Sequence, residues 1–394
     1  MQHSSPAPVA PVLTDGTVTL RVHRDSDLAD VVAQCQDPGM QRWTRVPVPY
    51  EERHGLEWLA ARRREWTSAD ASDRALAIEF QGRFAGSLDL RTDGAGAASV
   101  GYALAAWARG HGVAGRALAL MLPWGFEHLG LDVVHWSAGV GNWASRRVAW
   151  RAGFRVEGRV RGWLSLGGGR RDAWVGSLRR GDPMEPAHPW WRPPVIEVPG
   201  LRLRAHRPAD EERITDACGD RRTRRWLPQV PDPYSLDDAR AHLEHLQEEA
   251  AAGRALSWAV ADVRTDEMVA EVGLFGLGRS APRAAEIGYW THPDARGAGV
   301  ASRALRAAAR HALLPVDAGG LGCERVLVRA ARENSASRHA ALQAGMRPAG
   351  TDRRAERLRD GTVTDLVRYD LVLPDLGFDL APYLAPAPAP TELR

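Results

Sequence analysis

Two short turns carry the residues best suited to chemistry. Arg109-Gly110-His111-Gly112-Val113-Ala114 and Arg296-Gly297-Ala298-Gly299-Val300-Ala301 each follow an alternating apolar stretch and open a run with helical spacing. Glycines there let backbone N–H groups approach a ligand, and a helix N-terminus adds partial positive charge, so each turn reads as a cradle for a phosphate. An arginine at the edge of the cradle can add charge-assisted hydrogen bonds. One such turn alone is no better than an even wager against a plain glycine-rich helix entry, but two in equivalent contexts shift the balance strongly. The chain contains no lysine, which rules out a Walker-type phosphate loop; Gly110, Gly112 and Gly115 do spell G-x-G-x-x-G, but the second turn has Ser302 in the last place, so the dinucleotide fingerprint is not shared by the two copies. Nucleotide hydrolysis and hydride transfer are accordingly disfavoured.

The turns are landmarks of a longer repeat. Leu20-Arg21-Val22-His23-Arg24 returns as Leu203-Arg204-Ala205-His206-Arg207, Trp43 as Trp226, Pro49-Tyr50 as Pro233-Tyr234 and Gly101-Tyr102 as Gly288-Tyr289, in unchanged order. Asn142 with Ser145 then matches Asn334 with Ser337. The spacing between copies grows slowly along the chain, as loop insertions produce. A period of this size is too long for a solenoid unit and signals duplicated domains. Within the first copy the hydrophobic period predicts strands over 17–22, 75–80, 84–90, 99–105, 133–138, 154–166 and 171–178. It predicts helices over 28–36, 50–66, 113–129 and 143–152. The expected fold class is mixed α/β: a mostly antiparallel central sheet with flanking helices, in two tandem copies.

These motifs resemble the GNAT (Gcn5-related N-acetyltransferase) superfamily, and within it the ribosomal-protein N-acetyltransferase-like (RimJ/RimL-like) branch. The two turns match its [RQ]-x-x-G-x-[GA] signature. The opening Leu-Arg-x-x-Arg strand, the Pro-Tyr before the second helix, and Asn-x-x-Ser followed by Ala152-Gly153-Phe154 or Ala344-Gly345-Met346 match as well. The resemblance implies that the turns bind the pyrophosphate of acetyl-CoA, or of another acyl-CoA, between strands that splay to admit the pantetheine arm.

For the site residues the resemblance implies an unequal pair. Glu286, on the strand entering the second turn, stands where several GNAT enzymes keep their general base, whereas the first copy has Ser99 there. Serine cannot accept a proton at neutral pH, so the C-terminal copy is expected to be catalytic and the N-terminal copy degenerate. Ser337 is the expected acid for the leaving thiolate, although a serine bonded back to its own helix is an equal reading. Asn142 and Asn334 suit both a pantetheine contact and a helix N-cap. Trp226, Tyr234 and Tyr289 are weak candidates for acceptor binding, being equally good core residues. His111 reads as an exposed or phosphate-contacting residue. His242 and His245, among acidic neighbours on one helix, read as a solvated face rather than a metal site. The acceptor implied is a primary amine, either a protein N-terminus or a small molecule such as an aminoglycoside-type antibiotic. The alternative is a protein that binds or senses acyl-CoA without chemistry.

Composition bounds the rest. The chain has 394 residues, 44% hydrophobic and 26% charged, which suits two soluble globular domains. A net charge of +3 gives no nucleic-acid footprint, and the alanine, glycine and arginine bias points to a GC-rich bacterial gene. Three cysteines without C-x-x-C spacing argue against a disulfide framework or a cysteine metal site, and no residues call for a metal. No apolar stretch is long enough to span a bilayer, and no export signal opens the chain, so a cytoplasmic protein without nucleic-acid or membrane partners is expected. The expected domains are a flexible tail over 1–13, GNAT domains over 14–181 and 198–375, a Pro/Trp-rich linker over 182–197 and a Pro/Ala-rich tail over 376–394. The two domains are expected to pair within a monomer or homodimer.

Overall fold

A computed structural model describes residues 9–68, 71–278 and 283–377. The chain divides into two units, Met1–Ala187 and His188–Arg394. In the first, β1 (Leu13–Thr14) and β2 (Val18–Arg21) precede helices α1 (Leu28–Gln36), α2 (Pro38–Trp43) and α3 (Glu52–Arg64). Strands β3 (Asp73–Phe80), β4 (Arg83–Thr92) and β5 (Ala97–Leu104) follow, then α4 (Val113–His128), β6 (Val133–Gly139), α5 (Trp143–Arg151), β7 (Arg155–Leu166) and β8 (Gly169–Arg179). The second unit repeats the series. It runs through β9 (Ile196–Val198), β10 (Leu201–Arg204), α6 (Glu211–Gly219), α7 (Arg221–Trp226), α8 (Leu236–Ala251), β11 (Ala255–Asp262), β12 (Met268–Phe275) and β13 (Ala284–Thr291). It closes with α9 (Val300–Leu313), β14 (Arg325–Ala331), α10 (Ser335–Gln343), β15 (Arg347–Arg357) and β16 (Val363–Leu371).

Each unit builds one eight-stranded sheet, and strand for strand the order is the same: β1-β2-β3-β4-β5-β6-β8-β7 and β9-β10-β11-β12-β13-β14-β16-β15. All pairs are antiparallel except β5 with β6 and β13 with β14, which are parallel. Helix α4 buries Val113, Ala117, Leu118 and Met121 on one face, and α9 buries Val300, Ala304, Leu305 and Ala308, the spacing that packs a helix on a sheet. The repeated Leu-Arg-x-x-Arg has a structural explanation. Arg21 donates to both oxygens of Asp27 at 2.9 and 2.8 Å, and Arg204 to both of Asp210 at 2.8 Å. Each aspartate also accepts the backbone N–H of the second arginine of the motif, Arg24 or Arg207, at 2.8 Å, which fixes the turn out of the strand.

The proline-rich segment is not a free spacer along its whole length. The Trp191 indole donates to Gly253 O at 2.9 Å and the Trp258 indole to Pro194 O at 2.8 Å, both inside the second unit. Its last residues, Ile196–Val198, form edge strand β9 between Pro194 and Pro199. At the N-terminus Leu13 pairs with Leu20, so the first unit's sheet begins within the expected tail. Residues 1–8 and most of the C-terminal tail lie outside the described residues.

Candidate active site

Both glycine-rich turns adopt the same conformation. Gly110 and Gly112 have φ of +83° and +75°, and Gly297 and Gly299 of +79° and +70°, a region that side chains with a Cβ avoid. Gly112 and Gly299 are the N-cap residues of α4 and α9, and neither helix receives a side-chain cap. The first-turn N–H groups therefore point out of the helix with no side chain to satisfy them, beside the positive end of the helix dipole. The sheet opens at the same place. Parallel pairing runs only from Ala97 to Ser99 with β6, and from Ala284 to Glu286 with β14, while β5 continues to Leu104 and β13 to Thr291. An uncapped helix start beside parted strands fits a phosphate-bearing chain threaded between β5 and β6, and again between β13 and β14.

The signature arginines do something other than expected. Arg109 binds Asp37 and donates to Leu104 O at 3.2 Å, and Arg296 binds Asp220 at 2.5 Å and Thr223 Oγ1 at 2.7 Å. Asp37 and Asp220 are the N-caps of α2 and α7. Each guanidinium thus ties the turn to a short helix, and the anion cradle is left to backbone N–H groups. His111 is exposed and lies 6.1 Å from the Phe80 ring, away from the cavity lining.

Asn142 and Asn334 cap α5 and α10, accepting the N–H of Ser145 and Ser337 at 3.2 Å in each case. The Ser337 hydroxyl lies 2.8 Å from the Tyr289 hydroxyl, which also donates to Ser337 O at 3.0 Å. Tyr102 and Ser145 repeat the arrangement at 3.0 Å and add the Trp136 indole. Burial pushes the phenols of Tyr102 and Tyr289 up to about 12, so both stay protonated donors. Trp226 and Tyr289 line the cavity of the second unit, whereas Tyr234 packs in an apolar cluster with Ile214, Cys218 and Ala239, away from that lining.

The two clefts diverge on the sheet face that α3 and α8 cover. Glu286 receives Arg329 through both oxygens, at 2.9 and 2.8 Å. In the first unit the position of that carboxylate is taken by Ser99, but the neighbouring strand supplies one: Asp89 stands opposite Gly101, just past the last parallel pair. The same register in the second unit sets Gly273 opposite Gly288. Phe275 covers both glycines, since a Cβ on either would lie 2.9 Å from its ring. Behind it, buried Glu271 binds His206 at 3.0 Å and His242 at 3.0 Å, where the first unit has only Ser87 and His23, 2.9 Å apart. His242 is thereby half-buried and partnered, not part of a solvated face. The cavity measures about 1830 Å³ in the first unit and about 760 Å³ in the second. Ser99 leaves the Glu286 position without a carboxylate, as the sequence reads, and Asp89 enters the first cleft from the adjacent strand instead. Aligning the copies strand by strand, which sets Asp89 against Gly273 and Arg91 against Phe275, is the sequence signal that could have found it.

Among the described residues no group of three or more histidine, cysteine or acidic side chains is arranged to hold a metal, and Cys35, Cys218 and Cys323 are free and buried. No described helix is long and apolar enough to cross a membrane.

A family model described as the acetyltransferase (GNAT) domain matches residues 17–155 and again 200–347. No curated protein matches the chain. Among solved structures, Mycobacterium smegmatis RimJ in complex with CoA-disulfide is similar at 22% identity, over 49% of this chain and 93% of that one, with a TM-score of 0.42. Ribosomal-protein-S5-alanine acetyltransferase from Vibrio fischeri is similar at 16% identity, over 46% and 97%, with a TM-score of 0.40.

Proposed function

The chain belongs to the GNAT acetyltransferase family, in two copies of its domain, and on that premise we propose that it moves an acetyl group from acetyl-CoA to a primary amine. The observation that carries this reading is the twofold pairing of an uncapped helix start, set behind two left-handed glycines, with a sheet that parts beside it. When bound, acetyl-CoA supplies a thioester carbonyl open to attack by an amine nitrogen. The N–H groups around Gly110–Ala114 and Gly297–Ala301 would hold its pyrophosphate, as the donor set of a phosphate cradle requires.

In the second domain Glu286 is the proton acceptor in this reading, and Ser337, oriented by Tyr289, returns a proton to the departing sulfur. The fork from Arg329 occupies one lone pair on each Glu286 oxygen and favours the ionised form, so Glu286 becomes a stronger base when that fork loosens. A second reading for this domain, acyl-CoA binding without transfer, is favoured by that bidentate pair and by Phe275 across the cleft.

Thiol release from acetyl-CoA over a panel of primary amines and peptides with free N-termini tests the activity; release with none of them favours binding alone. Glu286→Gln decides the second domain's role, measured in a Gly112→Asp background that closes the first anion site. If Glu286 is the base, the remaining rate falls at least about a hundredfold. An unchanged rate leaves the second domain as a binding module.

A further inference from the structure

We propose that the first domain is itself a transfer site, in which the Asp89 carboxylate takes the proton from a primary amine; this rests on the acyl-CoA reading above. Three features place Asp89 for that task. It lies on β4 opposite Gly101, beyond the point where β5 leaves β6, so the carboxylate faces the parted strands. Its Oδ1 lies directly over the bare Cα of Gly101, since a Cβ there would come within 2.3 Å of it. Arg91 Nη1 stands 2.8 Å from its Oδ2, a charged neighbour on the same strand. The same cavity of about 1830 Å³ contains Asp89, Gly110 of the phosphate turn, Asn142 and Ser145, so acceptor and donor share one space.

The surroundings suit an amine. Asp89 is flanked by Asp73 on β3, by Arg62 on α3 and by Glu65 at the C-cap of α3, with Arg91 on its own strand and His135 of β6 lining the same cleft. Arg62 bonds Glu65 at 2.7 Å and stands 3.5 Å from Asp73, and buried Arg74 faces the same two acids, so Asp73 and Glu65 are partnered apart from Asp89, the carboxylate that an ammonium would meet over Gly101. Burial pushes the Asp89 carboxyl up to about 6, against the pull of Arg91, which brings it close to the working range of a general base at neutral pH. In the reaction the ammonium gives one proton to Asp89 Oδ1, the freed lone pair forms the N–C bond to the acyl carbon, and the nitrogen's second proton leaves to solvent. The C–S bond breaks with its electron pair on sulfur, and the thiolate takes up a proton from solvent while Asp89 returns its own. The products are an amide and a free thiol. The second domain cannot repeat this chemistry at the same position, because Gly273 stands there under Phe275.

The test uses the full chain in a Gly299→Asp background, which closes the second anion site, with acetyl-CoA and the same amine and peptide panel. Thiol release is expected to persist in that background and to fall at least about a hundredfold on adding Asp89→Asn. The rate should climb with pH through about 6 and then level off, and Asp89→Asn should remove that limb. Without any donor, carbon-13 detection of aspartate carboxyls should show one group titrating near 6 that vanishes in Asp89→Asn. Calorimetry with acetyl-CoA checks that the variant keeps the first domain's binding site. If Asp89→Asn loses that site, Gly101→Ala replaces it, since its Cβ displaces the carboxylate without removing it. A wild-type chain that releases no thiol sinks the acyl-transfer reading and this proposal with it. A wild type that turns over while Gly299→Asp does not, or a loss under about threefold in Asp89→Asn, overturns the proposal alone.

Discussion

Gly299→Asp is expected to abolish acetyl-CoA binding at the second domain, and Gly112→Asp at the first, so that calorimetric stoichiometry falls from two to one in either variant and to none in the double variant. The argument rests on what aspartate does at a left-handed N-cap. Gly112 and Gly299 sit at φ of +75° and +70°, where most side chains are strained but aspartate and asparagine are tolerated. A Cβ meets nothing within 4 Å at Gly112 and only Ser302 Oγ, at 3.8 Å, at Gly299, so the substitution fits. Aspartate is also a good N-cap, and its carboxylate would bond the same N–H groups that α4 and α9 leave uncapped. The fold is thus kept or helped while the cradle is filled by an internal anion. A pyrophosphate would meet a fixed negative charge and no free donors, a loss of several hydrogen bonds with added repulsion. Affinity should drop by at least about a thousandfold at the altered site, on the order of 4 kcal/mol. Unaltered binding in Gly299→Asp would mean that the turn is a plain helix entry.

How much of this was legible without coordinates depended on whether the signal was local. Helix α1 falls on the residues its apolar spacing predicts, and α4, α5 and the strands agree within a few residues, because period and glycine punctuation are written along the chain. Helix α2 was missed: six residues are too few to show a period, although Asp37 before Pro38 is a start signal. Strand β9 was hidden in a proline-rich stretch, because an edge strand tolerates proline nearby. In the site, the turns were legible because a glycine's job there is set by its own φ. The comparison of Ser99 with Glu286 was legible too, but its consequence was not. Whether a cleft has a carboxylate depends on what the adjacent strand sets beside it, and Asp89 opposite Gly101 is a fact of register. The arginines of the signature show the same limit, since the aspartates that Arg109 and Arg296 bind lie more than seventy residues earlier in the chain.

The difference behind the two clefts should also split the chain's response to pH. His23 is 2% exposed, and burial lowers its pKa to about 3 in the folded first domain, against about 6.5 when unfolded. Asp27, Arg21 and Arg62 face it, and the cations reinforce the burial. A histidine with a depressed folded pKa contributes its stability above the unfolded value and loses it as pH falls below about 6.5. Linkage puts the loss near 2 kcal/mol at pH 5, an order-of-magnitude figure. The second domain runs the other way. Burial opposes the charge on Glu271, but the imidazoles of His242 and His206 outweigh it and hold the carboxyl well below its ordinary range. Against its own burial, His242 is raised above 6.5 by that carboxylate. A raised histidine contributes fully below its unfolded pKa and loses the contribution as pH climbs through the folded value, so this domain weakens on the alkaline side. Thermal unfolding of the full chain between pH 5 and 8.5 should then show His23→Gln flattening the acid limb of stability and Glu271→Gln flattening the alkaline limb while lowering stability at neutral pH. Two variants that alter the same limb, or neither, would refute the assignment. The opposite signs follow from two differences in the repeat: Ser87 and Trp58 beside His23 supply no carboxylate, whereas Glu271 and His242 stand in their places in the second domain.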